Sequence, residues 1–148
     1  MRYVKLGLLG LMSLIYIVTG WNHFANPDFF LRMMPPYIPL HEEAVLISGI
    51  AEVALGVGLW IPRLRALSAW GIIALLIAVF PANLHMALND IPADPSGQGG
   101  RGWVLWARLP LQVVLILWAW WYTTGRAPAD ADEVDAGGRA VVSGTAKI

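Results

Sequence analysis

The sequence predicts an all-α integral membrane protein, a bundle of four transmembrane helices with short loops. Three observations carry this. The first is composition: only 14% of the 148 residues are charged, 57% are hydrophobic, and eight are tryptophan, where a soluble domain carries about a quarter charged. The second is that the apolar residues fall in long unbroken runs, not in the alternation of an outer-membrane barrel strand. The third is that prolines and polar clusters separate the runs into four. Residues 1–124 are expected to form the transmembrane domain, with helices over about 4–24, 44–61, 66–88 and 104–123. Residues 125–148 are expected to form a disordered cytoplasmic tail.

Helix 1 rests on the stretch between Lys5 and His23, which holds no charged side chain. At about 1.5 Å per residue it nearly spans a hydrocarbon core of about 30 Å. A secretory signal peptide opens in the same way, and Val18-Thr19-Gly20 resembles a cleavage site. The length of the apolar run favours a retained helix. After it, Asn26 can cap and Pro27 suits a first helical turn, while Phe29, Phe30, Met33 and Met34 fall on one side before Pro35-Pro36. The reading is a short interfacial segment, whose aromatic and methionine residues would form an exposed patch.

Helix 2 is apolar except for Ser48 and Glu52 and stops at Pro62. Helix 3 contains Pro81, which frees the carbonyl of Ile77 and leaves a polar spot for Asn83 or a water. Between helices 3 and 4, residues 90–102 are rich in Pro and Gly, a composition that suits either a linker or a mobile lid. Helix 4 contains Arg108, Pro110 and Gln112. Past Ala127 the tail carries Asp130, Asp132, Glu133 and Asp135 and no periodic apolar face, hence the disorder.

Basic residues set the orientation. Arg2, Lys5, Arg63, Arg65 and Arg126 flank one side, against Arg32 and Arg101 on the other, which predicts a multi-pass protein of the bacterial inner membrane with both termini cytoplasmic. Trp21, Trp103 and Trp106 fall at one interface and Trp60, Trp70, Trp118, Trp120 and Trp121 at the other. Ten basic and ten acidic residues cancel, so no field draws nucleic acid. The absence of cysteine removes disulfides, thiolate nucleophiles and Cys-ligated metal.

Ionisable groups in hydrocarbon cost several kcal/mol unless partnered, so each one is a candidate. Glu52 lies about 12 Å below the outer boundary and shares a helix face with Gly49 and Gly56, small residues that admit a close neighbour. Arg108 and Gln112 share a face of helix 4 at similar depth. The expectation is that Glu52 pairs with Arg108 and Gln112, either as a structural network or as part of a ligand site. Asn22 and His23 on helix 1, with Asn83 and His85 on helix 3, bring polar groups to the same half. His23 and His85 suit hydrogen bonding at headgroup level; a haem iron clamped between them is the less favoured alternative. No metal site is read from the chain. Asn22 to Asn83 is 61 positions and Glu52 to Gln112 is 60, an offset that fits a two-plus-two parallel repeat or chance.

Several of these stretches match one known pattern. They are Gly20-Trp21-Asn22-His23-Phe24, Pro35-Pro36-Tyr37-Ile38-Pro39, Ser48-Gly49-Ile50-Ala51-Glu52 with Gly56, Val79-Phe80-Pro81-Ala82-Asn83-Leu84-His85-Met86, and Arg108-Leu109-Pro110-Leu111-Gln112. In that order, over about residues 5 to 122, the chain resembles the DoxX-like family of small four-helix bacterial membrane proteins. The resemblance implies the fold and a link to respiratory redox chemistry, and it brings no established catalytic residue. The leading expectation is a redox-associated subunit binding a quinone-like or other small amphipathic ligand through Asn22, His23, Glu52, Asn83, His85, Arg108 and Gln112. In that picture Arg108, Gln112 and His85 hydrogen-bond the ligand while Glu52 holds Arg108 or relays a proton. The second reading, from a different class, is a non-enzymatic accessory protein docking a membrane or extracytoplasmic redox partner through the helix 2 small-residue face and the Phe29–Met34 patch. A small transporter ranks last, because four short helices leave little room for alternating access. Catalysis and homo-oligomerisation stay open at this point.

Overall fold

The apolar runs form helices because hydrocarbon offers backbone groups no partner, and a helix satisfies them within its own segment. The computed structural model describes residues 2–92, 94, 96 and 102–123. It contains α1 (Arg2–Ala25), α2 (Pro27–Met33), α3 (His41–Gly58), α4 (Pro62–Leu88) and α5 (Trp103–Trp120), with no strand among the described residues. The predicted acidic tail and most of the Pro/Gly-rich loop lie outside the described residues.

Among the described residues three helices, not the expected four, are long and apolar enough to cross a membrane: α1, α4 and α5. The difference lies in α3. Its 18 residues include Glu42, Glu43 and Glu52, and three acids in so short a helix exceed what a membrane span ordinarily carries. α3 also starts three residues before the expected boundary. α4 starts four residues early, because Pro62 occupies its first turn and does not merely end α3. The surface of the bundle is apolar along its length, with Leu14, Ile50, Leu67, Ile77, Val113 and Leu117 exposed, which suits lipid contact and not water.

Glycine sets the closest helix pair. A Cβ on Gly20 would stand 2.8 Å from the Gly49 carbonyl, and one on Gly49 would stand 2.7 Å from His23 Cβ. One on Gly56 would meet Ile17 at 2.9 Å. These distances are below any real contact, so α1 and α3 touch backbone to backbone, as the shared face of Gly49 and Gly56 predicts. Ser13 Oγ strengthens the seam by donating to the Gly56 carbonyl at 2.7 Å, and Trp60 Nε1 donates to Ser13 Oγ at 2.9 Å.

The half of the bundle far from α2 is filled. Leu9, Met12 and Tyr16 of α1 pack with Leu59, with Ala69, Ile72, Ile73 and Leu76 of α4, and with Ala119 and Tyr122. Arg65 is buried there, its Nε donating to the Leu59 carbonyl at 2.9 Å. Tyr122 closes the ring of helices by donating to the Lys5 carbonyl at 2.9 Å. At the other end α2 lies over the bundle, with Phe29 packed on Met86, Ala87 and Leu105. Asn26 gives α2 no side-chain cap; instead its backbone carbonyl accepts the Phe29 N–H at 3.2 Å.

Gly49→Val should lower stability by about 1–3 kcal/mol, the usual cost of overpacking, because the added atoms meet His23 and the Gly20 backbone. Gly7→Ala, with open space at its Cβ, should be neutral or stabilising. Denaturant or thermal unfolding of purified protein in detergent checks both.

Candidate functional site

The filled half and the α2 end differ in one respect: at the α2 end the helices enclose a cavity of about 750 Å³, within the range of small-molecule sites. Each element supplies part of its wall. α1 contributes Tyr16, Thr19, Asn22 and His23, a stripe at three- and four-residue spacing; α3 contributes Ala44, Ser48, Ala51 and Glu52. α4 adds Leu75, Val79, Ala82 and Asn83, α5 adds Arg108 and Leu115, and α2 adds Phe29, Phe30 and Met33. Most of this wall is apolar, with a few polar groups converging on it.

Those polar groups divide between two walls. On the α1–α3 wall, the glycine seam brings Glu52 Oε2 within 3.8 Å of His23 Nδ1. That nitrogen donates to the Thr19 carbonyl at 2.9 Å. A carbonyl can only accept, so Nδ1 carries the proton and the contact with Glu52 is electrostatic, too long for a hydrogen bond. The His23 ring is held by stacking on Phe30, centroids 3.7 Å apart. Glu52 Oε2 and the Tyr16 hydroxyl are both buried without a hydrogen-bond partner. On the α4–α5 wall, Arg108 directs Nη1 at Met86 Sδ, 3.3 Å away. A thioether is a weak acceptor and a guanidinium has five donors, so this contact leaves most of the hydrogen-bonding capacity of Arg108, a cavity-lining residue, unused.

The structure thus gathers five of the seven residues singled out from the sequence, Asn22, His23, Glu52, Asn83 and Arg108, around one space. It separates the other two. Gln112 is buried behind the wall, where its Oε1 accepts from Asn83 Nδ2 at 3.2 Å and its Nε2 donates to the Leu76 carbonyl. It therefore serves the polar spot beside Pro81, one carbonyl earlier than the one the proline frees. His85 lies off the cavity, its Nδ1 donating to the Met33 carbonyl at 3.3 Å, which ties α2 to α4. His23 and His85 do not face one another across the cavity.

The expected pairing of Glu52 with Arg108 and Gln112 is not formed: no ion pair or hydrogen bond joins them among the described residues. The reason is the seam, which presses Glu52 against α1 and leaves the cavity between it and α5. The Phe29–Met34 segment also differs from the expectation. It does not present an exposed patch; Phe29 is buried, and with Phe30, Met33 and Met34 it roofs the cavity. Sequence reasoning missed Tyr16 and Thr19. Their spacing from His23 was the available signal, since a phenol in mid-helix needs a partner.

The fold and this site define a class: an all-α protein, apolar outside, with a polar-sided cavity capped by a short helix. The chain belongs to a protein family described as a domain of unknown function (DUF8561), whose model matches residues 12–123. Every residue of the cavity wall lies inside that stretch. No curated protein and no solved structure matches the chain.

Because Glu52 Oε2 makes no hydrogen bond and only an electrostatic contact with His23, Glu52→Gln should leave stability within about 1 kcal/mol of the original or raise it. Breaking a buried ion pair would instead cost about 3–5 kcal/mol. Gln112→Leu should cost about 1–3 kcal/mol, because it strands Asn83 and the Leu76 carbonyl. The unfolding midpoints of the two variants, measured side by side, decide between the arrangements.

Proposed function

We propose that the protein is a multi-pass bacterial inner-membrane protein that binds a small amphipathic molecule, of the quinone type, in the cavity beneath α2. The observation that supports this best is the mismatch within the cavity. Arg108 and Glu52 stand on opposite walls with unused hydrogen-bonding capacity, in a space whose lining is mostly apolar. A stable fold does not leave such groups unpaired without cost. A ligand head group bearing an acceptor for Arg108 and a donor for Glu52 or an acceptor for Tyr16 would satisfy both walls. An apolar ring or tail would fill the rest.

In this reading α3 lies in the bilayer with the other three long helices, its acids excused by position. Glu42 and Glu43 sit in its first turn at the interface, where they also suit the helix dipole, and Glu52 faces the cavity. Both termini are cytoplasmic, by the distribution of basic residues. The resemblance to DoxX-like proteins points the same way, toward a redox-associated subunit. The roles differ from those expected of the sequence: Arg108, Glu52 and Tyr16 address the ligand, His23 steadies Glu52, and Gln112 with Asn83 braces the wall.

Purified protein in nanodiscs should bind a tailed benzoquinone. Arg108→Ala should weaken it by tenfold or more, since a charge-assisted hydrogen bond contributes about 1.5–3 kcal/mol. Unchanged affinity in both Arg108→Ala and Glu52→Ala would remove the cavity from consideration. A partner protein that co-purifies in fixed ratio while the cavity stays silent to ligands would favour the accessory role instead.

A further inference from the structure

The α3–α4 hairpin comes apart in a particular way. Near its turn the two helices pack tightly: a Cβ on Gly58 would overlap the Ser68 hydroxyl, and one on Gly71 would overlap the Leu55 side chain. Continuing this antiparallel register away from the turn places Ala51 opposite Leu75, Ser48 opposite Ala78, and Ala44 opposite Ala82. All six line the cavity. The seam that is closed by contact in its first half is therefore open in its second, and the residues along the open half are mostly small. Beside it, Ile47 is both a cavity-lining residue and 64% exposed on the outer surface, and Ala78 is likewise exposed. A residue that faces the cavity and the exterior at once marks where the cavity reaches the surface: Thr19 and Asn22 mark an opening beside α1 with polar side chains, and Ile47 and Ala78 mark one whose exposed lining is apolar. The second opens on the apolar flank of the bundle, whereas the end of the bundle is roofed by Phe29, Phe30 and Met33.

We infer that the slot between α3 and α4 is a lateral portal through which a membrane-dissolved ligand enters, and that its ligand carries a single apolar tail that stays in the slot. This rests on the ligand-binding reading above and narrows it to a class: a lipid-soluble molecule with a compact polar head and one linear tail, not a water-soluble metabolite arriving from the α2 side. The head reaches the Glu52–Arg108 space and the tail leaves between Ser48 and Ala78.

Two measurements test it. In nanodiscs, a benzoquinone with a ten-carbon tail should bind more tightly than the same head without a tail, and Ala78→Trp should reduce the tailed probe's affinity about tenfold more than the tail-less one's. Equal losses for both probes would overturn the portal. Because the chain has no cysteine, a single nitroxide on Ala51→Cys reports access without any ligand. The portal predicts that the nitroxide collides with oxygen dissolved in the bilayer more than with a water-soluble nickel chelate, and that adding Ala78→Trp suppresses the oxygen collisions. Collisions dominated by the nickel chelate, or oxygen collisions that Ala78→Trp leaves unchanged, would overturn it. Failure of both quinones to bind would sink the ligand reading above, while the nitroxide result would still decide whether the slot is open to lipid.

Discussion

The arrangement depends on one constraint, the glycine seam between α1 and α3. With Gly20, Gly49 and Gly56 the two backbones meet where any side chain would hold them apart. That approach fixes which way Glu52 faces: it is carried to His23 on α1 and away from Arg108 on α5. The far half of the bundle then closes on a core of leucine, isoleucine and tyrosine, and the half under α2 cannot close in the same way. The space left between Glu52 on α3 and Arg108 on α5 is the cavity.

This explains why polar groups gather there without pairing. In a bundle built for stability alone, Glu52 and Arg108 would be brought together, or both replaced by apolar residues of similar size, which is often neutral or stabilising. Here the carboxylate and the guanidinium are kept on separate walls while Gln112 and Asn83 spend their amides on each other and on the backbone. Gln112 is satisfied behind the wall, whereas Glu52 Oε2 and the Tyr16 hydroxyl on the wall are not. Unpaired groups of this kind are the ordinary mark of a place that must accept something else.

Much of the fold was legible in the sequence, because hydrophobic runs and prolines act locally. The helix limits follow from them within a few residues, and α2 follows from Pro27 and the Phe/Met spacing. The close face of α3 followed from Gly49 and Gly56. What escaped is what depends on rotation about the helix axes and on packing between distant segments. Equal depth made Glu52 and Arg108 plausible partners, yet depth says nothing about azimuth, and the seam turns Glu52 the other way. The side of α2 was legible as a stripe, but its direction, inward as a roof and not outward as a patch, depends on Met86 and Leu105, far off in the chain. The membrane reading of α3 was the most exposed to error, since its three acids look alike in composition while only one of them stands in mid-helix.

The most direct test is an experimental structure in lipid nanodiscs, read for the separation of the Glu52 carboxyl from the Arg108 guanidinium. The seam predicts that they stand farther apart than the about 4 Å of an ion pair, with Glu52 beside His23 and open space between the walls. A direct Glu52–Arg108 ion pair, with the helices closed around it, would contradict the account.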